Sequence, residues 1–146
     1  MIFREAVIND IEQMHEVRMA VKENVLSNPG LVTMADYVKF LSTDGKGWVC
    51  ESNGVILGFS IVDIRDHNIW ALFIKPGSEK QGIGRRLHGL MLDWYFQNYT
   101  EDLWLGTEPG TRAEIFYARA GWSKTGTRSN GETRFGITRD TWNQLK

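Results

Sequence analysis

The chain has 146 residues, 42% of them hydrophobic and 24% charged, which suits one globular domain with a buried core rather than a disordered chain. No apolar run approaches the ~20 residues that span a bilayer, and no basic-then-apolar leader opens the sequence, so no membrane partner and a cytoplasmic location are expected. A net charge of −1 argues against nucleic acid as a partner, and Cys50, the one cysteine, excludes an internal disulfide or a Cys-based zinc cage.

In chain order, residues 2–6 read as a strand and "NDIEQMHEVRMAVKEN" (9–24) as a helix capped by Asn9 or Asp10, with Ile11, Met14, Val17 and Val21 on one stripe. Residues 25–33 form a Pro-Gly loop, and Thr33 caps a second helix, "MADYVKFLS". "GWVCES" (47–52) and "VILGFSIVDI" (55–64) make a hairpin about a Ser-Asn-Gly turn, followed by the apolar strand "NIWALFI" (68–74). A helix over 82–98 carries Ile83, Leu87, Leu90, Met91 and Trp94 on one face. The strand 102–107, the helix 111–120 and two strands, 122–127 and 133–138, complete the chain. The order β-α-α-β-β-β-α-β-α-β-β predicts one mixed α/β sheet with helices on its faces. Charge is uneven: residues 1–73 hold six Lys+Arg against ten Asp+Glu, and residues 74–146 hold eleven against eight. The second half therefore suits a small polyanion.

The stretch "FIKPGSEKQGIGRRLHGL" (73–90) carries the first chemical signal. A strand ends at Pro76, a polar loop turns, and a helix opens at Gly82. The first turn of a helix has amides without intrahelical partners, and the dipole adds about half a positive charge there. Gly82 and Gly84 let an anion approach the backbone, and Arg85 and Arg86 stand at the rim, so the loop suits a phosphate or pyrophosphate. An ordinary glycine turn before a helix fits the same residues. No Lys-Ser/Thr pair follows the glycines, which excludes a P-loop. Leu87 in place of a third glycine, and the distance from Ile74, exclude a dinucleotide fingerprint.

Strand, proline, then "EKQGIG" (79–84) at the head of a helix resembles the cofactor segment of the GNAT superfamily of acyl-CoA-dependent N-acyltransferases. Glu79 stands where that family usually has Arg or Gln. A second segment, "GTRAEIFYARAGW" (110–122), supplies Ala113, Tyr117, Gly121 and Trp122 at the family's spacing, with Gly110 in place of the usual Asn. The resemblance covers nearly the whole chain. It implies a mostly antiparallel twisted sheet, splayed between the fourth and fifth strands, with helices on both faces.

The resemblance also implies acetyl-CoA as cosubstrate. Backbone groups of Leu72, Phe73 and Ile74 would pair with the pantetheine arm, and an amide near Phe73 would polarise the thioester carbonyl. The loop Glu79, Lys80, Gln81, Gly82, Ile83, Gly84 and Arg85 would hold the pyrophosphate, and Phe116 reads as a core residue packed near the cofactor. Acyl transfer needs a neutral amine, a stabilised oxyanion and a protonated leaving thiolate. Tyr117 matches the family's general acid, since a phenol with a pKa near 10 keeps its proton at neutral pH. Its place on the stripe Ala113, Phe116, Tyr117, Ala120 also fits core packing. Glu108 is the candidate base, acting directly or through water, and its other reading is an exposed turn residue. His67 and Asp66 read as turn residues, His15 as an exposed rather than a catalytic residue, His88 as a surface residue that on the cofactor helix could touch phosphate, and Cys50 as buried and inert. The histidines show no metal spacing.

For the acceptor, the resemblance points to residues 18–37, where Glu23, Asn24, Asp36 and Tyr37 are candidate polar lining; Trp70 with Trp104 would suit an aromatic wall, and core packing fits the same tryptophans. The acidic first half leans toward a cationic amine. The expected reaction is transfer to a primary amine of a small molecule. A protein or peptide N-acetyltransferase, and an inactive acyl-CoA-binding module, are the alternatives. "ETRFGITRD" (132–140) reads as an exposed strand edge through which a homodimer would form.

Overall fold

The structure, a computed structural model, describes residues 1–21 and 32–146. The chain runs β1 (Ile2–Glu5), a 3-10 turn (Ile8–Asp10), α1 (Ile11–Ala20), α2 (Met34–Ser42), β2 (Gly45–Ser52), β3 (Val55–Asp63), β4 (Asn68–Ile74), α3 (Ile83–Asn98), β5 (Leu103–Thr107), α4 (Arg112–Arg119), β6 (Ser123–Thr127), β7 (Thr133–Ile137) and α5 (Arg139–Gln144). Local chemistry accounts for most of the boundaries. Thr33 accepts the Asp36 amide while Asp36 accepts the Thr33 amide, a reciprocal cap that starts α2. Asn53 and Gly54 both take positive φ (52° and 80°), as the two-residue β2–β3 hairpin demands. Arg4 donates to both carboxylate oxygens of Asp10 at 2.8 and 2.9 Å, pinning β1 to the start of α1.

The sheet order is β1-β2-β3-β4-β5-β7-β6, antiparallel except for the parallel pair β4–β5. It is a mixed α/β sheet with helices on both faces. Under α3, Ile83, Leu87, Met91, Leu92, Tyr95 and Phe96 pack on Trp48, Cys50, Val62, Ile69, Leu103 and Leu105. On the other face, Ile11, Met14 and Val17 of α1 and Tyr37 and Phe40 of α2 cover Val49, Phe59, Ile61 and Ala71. Cys50 is fully buried and burial pushes its thiol pKa up. No described helix is long and apolar enough to cross a membrane.

Several expectations change. The first helix stops at Ala20 because Val21 is already extended (φ −79°, ψ 116°); residues 22–31, with most of the expected Pro-Gly loop, lie outside the described residues. The buried face of α3 extends beyond the expected stripe to His88, Leu92, Tyr95 and Phe96, whereas Leu90 and Trp94 are half-buried. The segment expected as a free edge is interior, since β7 pairs with β5 on one side and β6 on the other. The edge strands are β6 and β1. Helix α5 was not expected; it starts at Thr138, whose side chain accepts the Thr141 amide, and Trp142 ties it to Asp93 of α3 through an N–H···O bond of 2.9 Å.

Candidate active site

The parallel strands β4 and β5 share a single paired position, Asn68 with Trp104. Beyond it they part, and a cleft of about 1400 Å³ opens between residues 69–74 and 105–108. On their other edge Leu72, Phe73 and Ile74 pair with Ser60, Phe59 and Gly58 of β3, while the edge toward β5 has no strand partner. A bulge puts Trp70 as an extra residue between the paired positions Ile69 and Ala71. Trp70, Ala71 and Phe73 accordingly belong to the α1–α2 face, and Ile69, Leu72 and Ile74 to the α3 face.

The glycine loop lies at the other end of this cleft. Gly82 caps α3 in the left-handed conformation (φ 81°, ψ 6°), and Lys80 also has positive φ. The first helical bond closes from the Arg86 amide to the Gly82 carbonyl, so the amides of Gly82, Ile83, Gly84 and Arg85 have no protein acceptor among the described residues. Lys80, Arg85, Arg112 and Arg119 add positive charge to the lining. Glu79 turns inward on its own loop: one carboxylate oxygen accepts the Gly77 amide, and the other lies 3.7 Å from Nη1 of Arg112 on α4. Those two backbone amides, its own and that of Gly77, hold its carboxyl below the ordinary range, with Arg112 adding to the effect. The rim charge expected from Arg86 is not there, because its guanidinium sits over the Phe3 ring of β1.

Tyr117 and Glu108 both line the cleft, as do Leu72, Phe73, Ile74, Glu79, Lys80, Gly82, Ile83, Gly84, Arg85 and Phe116. Gln81 is exposed and lies off the lining. The side chain of Ile83 is buried in the core, which leaves its amide as the group that can serve an anion. Helix α4 holds Tyr117 in place from its first turn. Thr111 caps it, and Glu114 accepts both the Gly110 amide (3.2 Å) and the Thr133 hydroxyl of β7 (2.7 Å). Tyr117 is buried among Phe116, Trp122 and His88, and burial pushes its phenol above the ordinary value of 10.0. Its hydroxyl has no bond to a described residue and is not sealed from the cleft. Glu108 is exposed at the end of β5.

His88 is not a surface residue. It is 3% exposed, lines the cleft, and accepts the Trp122 indole N–H at Nε2 (2.9 Å). Burial pushes its pKa down to about 4, so the ring is neutral with its proton on Nδ1. His15 is half-buried and meets the Tyr37 hydroxyl at 2.9 Å. His67 has φ 56° in its turn and meets the Tyr95 hydroxyl at 2.8 Å. No group of metal-ligating side chains forms among the described residues.

The expected acceptor lining is largely revised. Tyr37 is fully buried and Asp36 serves as a cap, so neither lines the cleft; Glu23 and Asn24 lie outside the described residues. Trp70 does line it. Trp104 faces away, its ring under Arg128 and Arg134 and its indole N–H bonded to the Asp66 carbonyl.

The sequence matches the family model described as acetyltransferase (GNAT) family over residues 11–122, about three-quarters of the chain. The chain belongs to the GNAT acetyltransferase family. A search of curated proteins by sequence finds no match. Solved GNAT structures share the fold at low identity. Ribosomal-protein-alanine N-acetyltransferase from Brucella melitensis superposes with a TM-score of 0.77 at 18% identity, covering 94% of this chain and 99% of that one. The yncA protein of Salmonella typhimurium, solved with its cofactor acetyl-CoA, gives 0.77 at 18% identity, with 96% and 94% covered. The paia N-acetyltransferase of Thermoplasma acidophilum, solved with coenzyme A, gives 0.72 at 15% identity, with 94% and 98% covered.

In this GNAT domain residues of both motif segments of the sequence, 79–84 and 110–122, line one cleft, and the segments are joined by the Glu79–Arg112 contact. Sequence reading missed the burial of His88, which lines the cleft, and of Arg18, which packs on its Trp70 and Phe73; Thr107 also lines it, with a buried hydroxyl that has no partner among the described residues. No motif marks the burial of His88 or Arg18, because each is placed by packing between elements far apart in the chain.

Proposed function

We propose that this GNAT acetyltransferase moves an acetyl group from acetyl-CoA to the primary amine of a small-molecule acceptor by direct attack. The observation that supports it best is one cleft holding both a row of amides at Gly82–Arg85 and a phenol, Tyr117, that have no partner among the described residues. Amides with no internal acceptor at a helix N-terminus suit a pyrophosphate. The unpaired edge of Leu72, Phe73 and Ile74 suits the amide-bearing pantetheine arm. With the thioester near Phe73, the amine forms the new C–N bond while the C–S bond breaks. Tyr117 gives its proton to the leaving sulfur, and Glu108 receives the amine proton directly or through water. Burial raises the Tyr117 pKa and keeps the phenol protonated across the working pH range.

Isothermal titration with acetyl-CoA, against NADH and ATP as controls, tests the donor half of this reading. Thiol release in the presence of an amine library tests the transfer. Selective micromolar binding followed by amine-dependent thiol release is the expected outcome, and absence of acetyl-CoA binding overturns it.

A second reading, acetylation of a peptide amine, is favoured by the fold neighbours named as ribosomal-protein-alanine N-acetyltransferases. Competition between a peptide with a free N-terminus and the best small amine separates the two.

A further inference from the structure

Arg18 lies near the end of α1, three residues before Val21, which lines the cleft. The residue is only 8% exposed. Its guanidinium carbon sits 4.7 Å from the ring centre of Trp70 and 4.9 Å from that of Phe73, the two aromatic side chains that β4 contributes to the cleft wall. Nε and Nη1 are sealed from water and meet no hydrogen-bond acceptor among the described residues. No carboxylate among the described residues forms an ion pair with the group.

A guanidinium keeps its charge in proteins, so burial here costs free energy that an anion would normally offset. Burial lowers its pKa, and Tyr37, through its charge and a side-chain hydrogen bond, works in the opposite direction, as does the Asp36 carboxylate. The two rings attract the cation through their faces, but they cannot take up the N–H groups that point outward in the guanidinium plane. Native proteins leave few buried donors in this condition. Nη2 is not among the nitrogens that are both sealed and unpartnered. That nitrogen belongs to both two-nitrogen edges of the guanidinium, so an anion reaching it finds an unused donor beside it on either edge.

We propose that Arg18 binds a carboxylate on the acceptor, which makes the substrate an amino-acid-like molecule carrying both an amine and a carboxylate. This rests on the transferase reading above and narrows its acceptor. One positive charge between two apolar rings balances a planar monoanion, and the fork of the guanidinium matches a carboxylate. The cationic amine expected from the acidic first half of the chain is retained, with an anionic group added beside it. Phe73 both carries Arg18 and borders the proposed thioester position, so the two charged groups of the acceptor are close together. α-Amino acids fit this spacing better than acceptors with widely separated groups.

The test compares full-length wild type with Arg18→Met and Arg18→Lys, using saturating acetyl-CoA and paired acceptors: alanine with ethylamine, leucine with isoamylamine, phenylalanine with phenethylamine. The wild type is expected to prefer the carboxylate-bearing member by roughly 30-fold or more in kcat/KM, the loss expected when one partner of a buried charge pair is missing. Arg18→Met erases the preference, with the loss appearing in acceptor KM, and Arg18→Lys restores part of it. Arg18→Met also melts no lower than wild type, since it keeps the apolar stack and removes an unpaired charge. Equal or better use of the plain amines by wild type overturns the proposal. So does a lower melting temperature in Arg18→Met with the preference intact, the result expected if Arg18 serves an internal partner.

Should none of the pairs turn over, titration of the CoA-loaded protein with the same amino acids decides. Binding that Arg18→Met abolishes supports the proposal, and no binding to wild type refutes it. Failure of acetyl-CoA itself to bind refutes the parent reading instead, and titration of the unloaded protein with the amino acids then decides on Arg18 by the same two outcomes.

Discussion

Trp122 donates its indole N–H to Nε2 of His88 across 2.9 Å, tying the residue that follows the α4 turn to the middle of α3 beneath the cleft. An indole nitrogen only donates, so this bond requires His88 to be neutral at Nε2. The ring also packs edge-on against Phe116 and Trp142, at centroid separations of 5.6 and 5.5 Å. Two helices and the C-terminal segment thus meet at one imidazole.

That arrangement makes stability depend on pH with a definite sign. Folded, His88 stays neutral down to about pH 4, whereas in the unfolded chain it takes a proton near 6.5. Between those values the unfolded state binds more protons, so stability is full above 6.5 and declines as pH falls toward 4, by up to roughly 3 kcal/mol. Denaturant unfolding between about pH 7 and pH 5 measures the slope. His88→Gln is expected to flatten it, and an unchanged slope in that variant would remove His88 as its source.

Tyr117→Phe removes one oxygen from a ring whose packing is otherwise kept. Its kcat is expected to fall by roughly 10²-fold or more, with acetyl-CoA affinity nearly unchanged, because the proton is needed only as the thiolate leaves. Initial rates and titration on the same preparation separate the two quantities. Wild-type turnover in the variant would return Tyr117 to a packing role.

Gly82 caps α3 at φ 81°, and a Cβ built there meets nothing within 4 Å. Its requirement is therefore conformational within the protein and steric only toward a ligand. Gly82→Val should cost about 1–2 kcal/mol of stability from the left-handed backbone and abolish detectable acetyl-CoA binding. Thermal melting and titration read these effects independently, and retained affinity would refute the amide cradle.

Glu79 places a negative charge at the loop proposed to hold the pyrophosphate, and it engages Arg112 at 3.7 Å. Glu79→Gln keeps an acceptor for the Gly77 amide and removes that charge, together with its contact to Arg112. Acetyl-CoA is expected to bind severalfold more tightly, and the gain should shrink in high salt. Weaker binding in the variant would mean that the Glu79–Arg112 contact shapes the loop more than its charge opposes the ligand.

Much of this molecule can be read along the chain. The cap Thr33–Asp36, the Asn53-Gly54 hairpin, the alternating apolar strands and the glycine-opened helix α3 all depend on neighbours within a few residues. For that reason their positions, the mixed sheet and the two motif segments were legible without coordinates. The α5 cap at Thr138 was also present in the sequence, but so short and polar a segment lacks the apolar period that marks a helix.

Other features exist only through space. Whether "ETRFGITRD" is an edge depends on β5 and β6 closing over it from both sides. Trp70 and Trp104 look alike in sequence, yet a bulge keeps one on the cleft while two arginines cover the other. His88 and Arg18 fall in segments the sequence singles out, yet nothing local marks them as buried; each is buried because helices and strands distant in sequence converge on it. The sequence by itself determined the elements, their order and the family, because hydrogen-bond caps, turns and apolar periodicity act over a few residues. Tertiary structure alone decided which polar side chains lose their water, because burial is set by the elements that pack together.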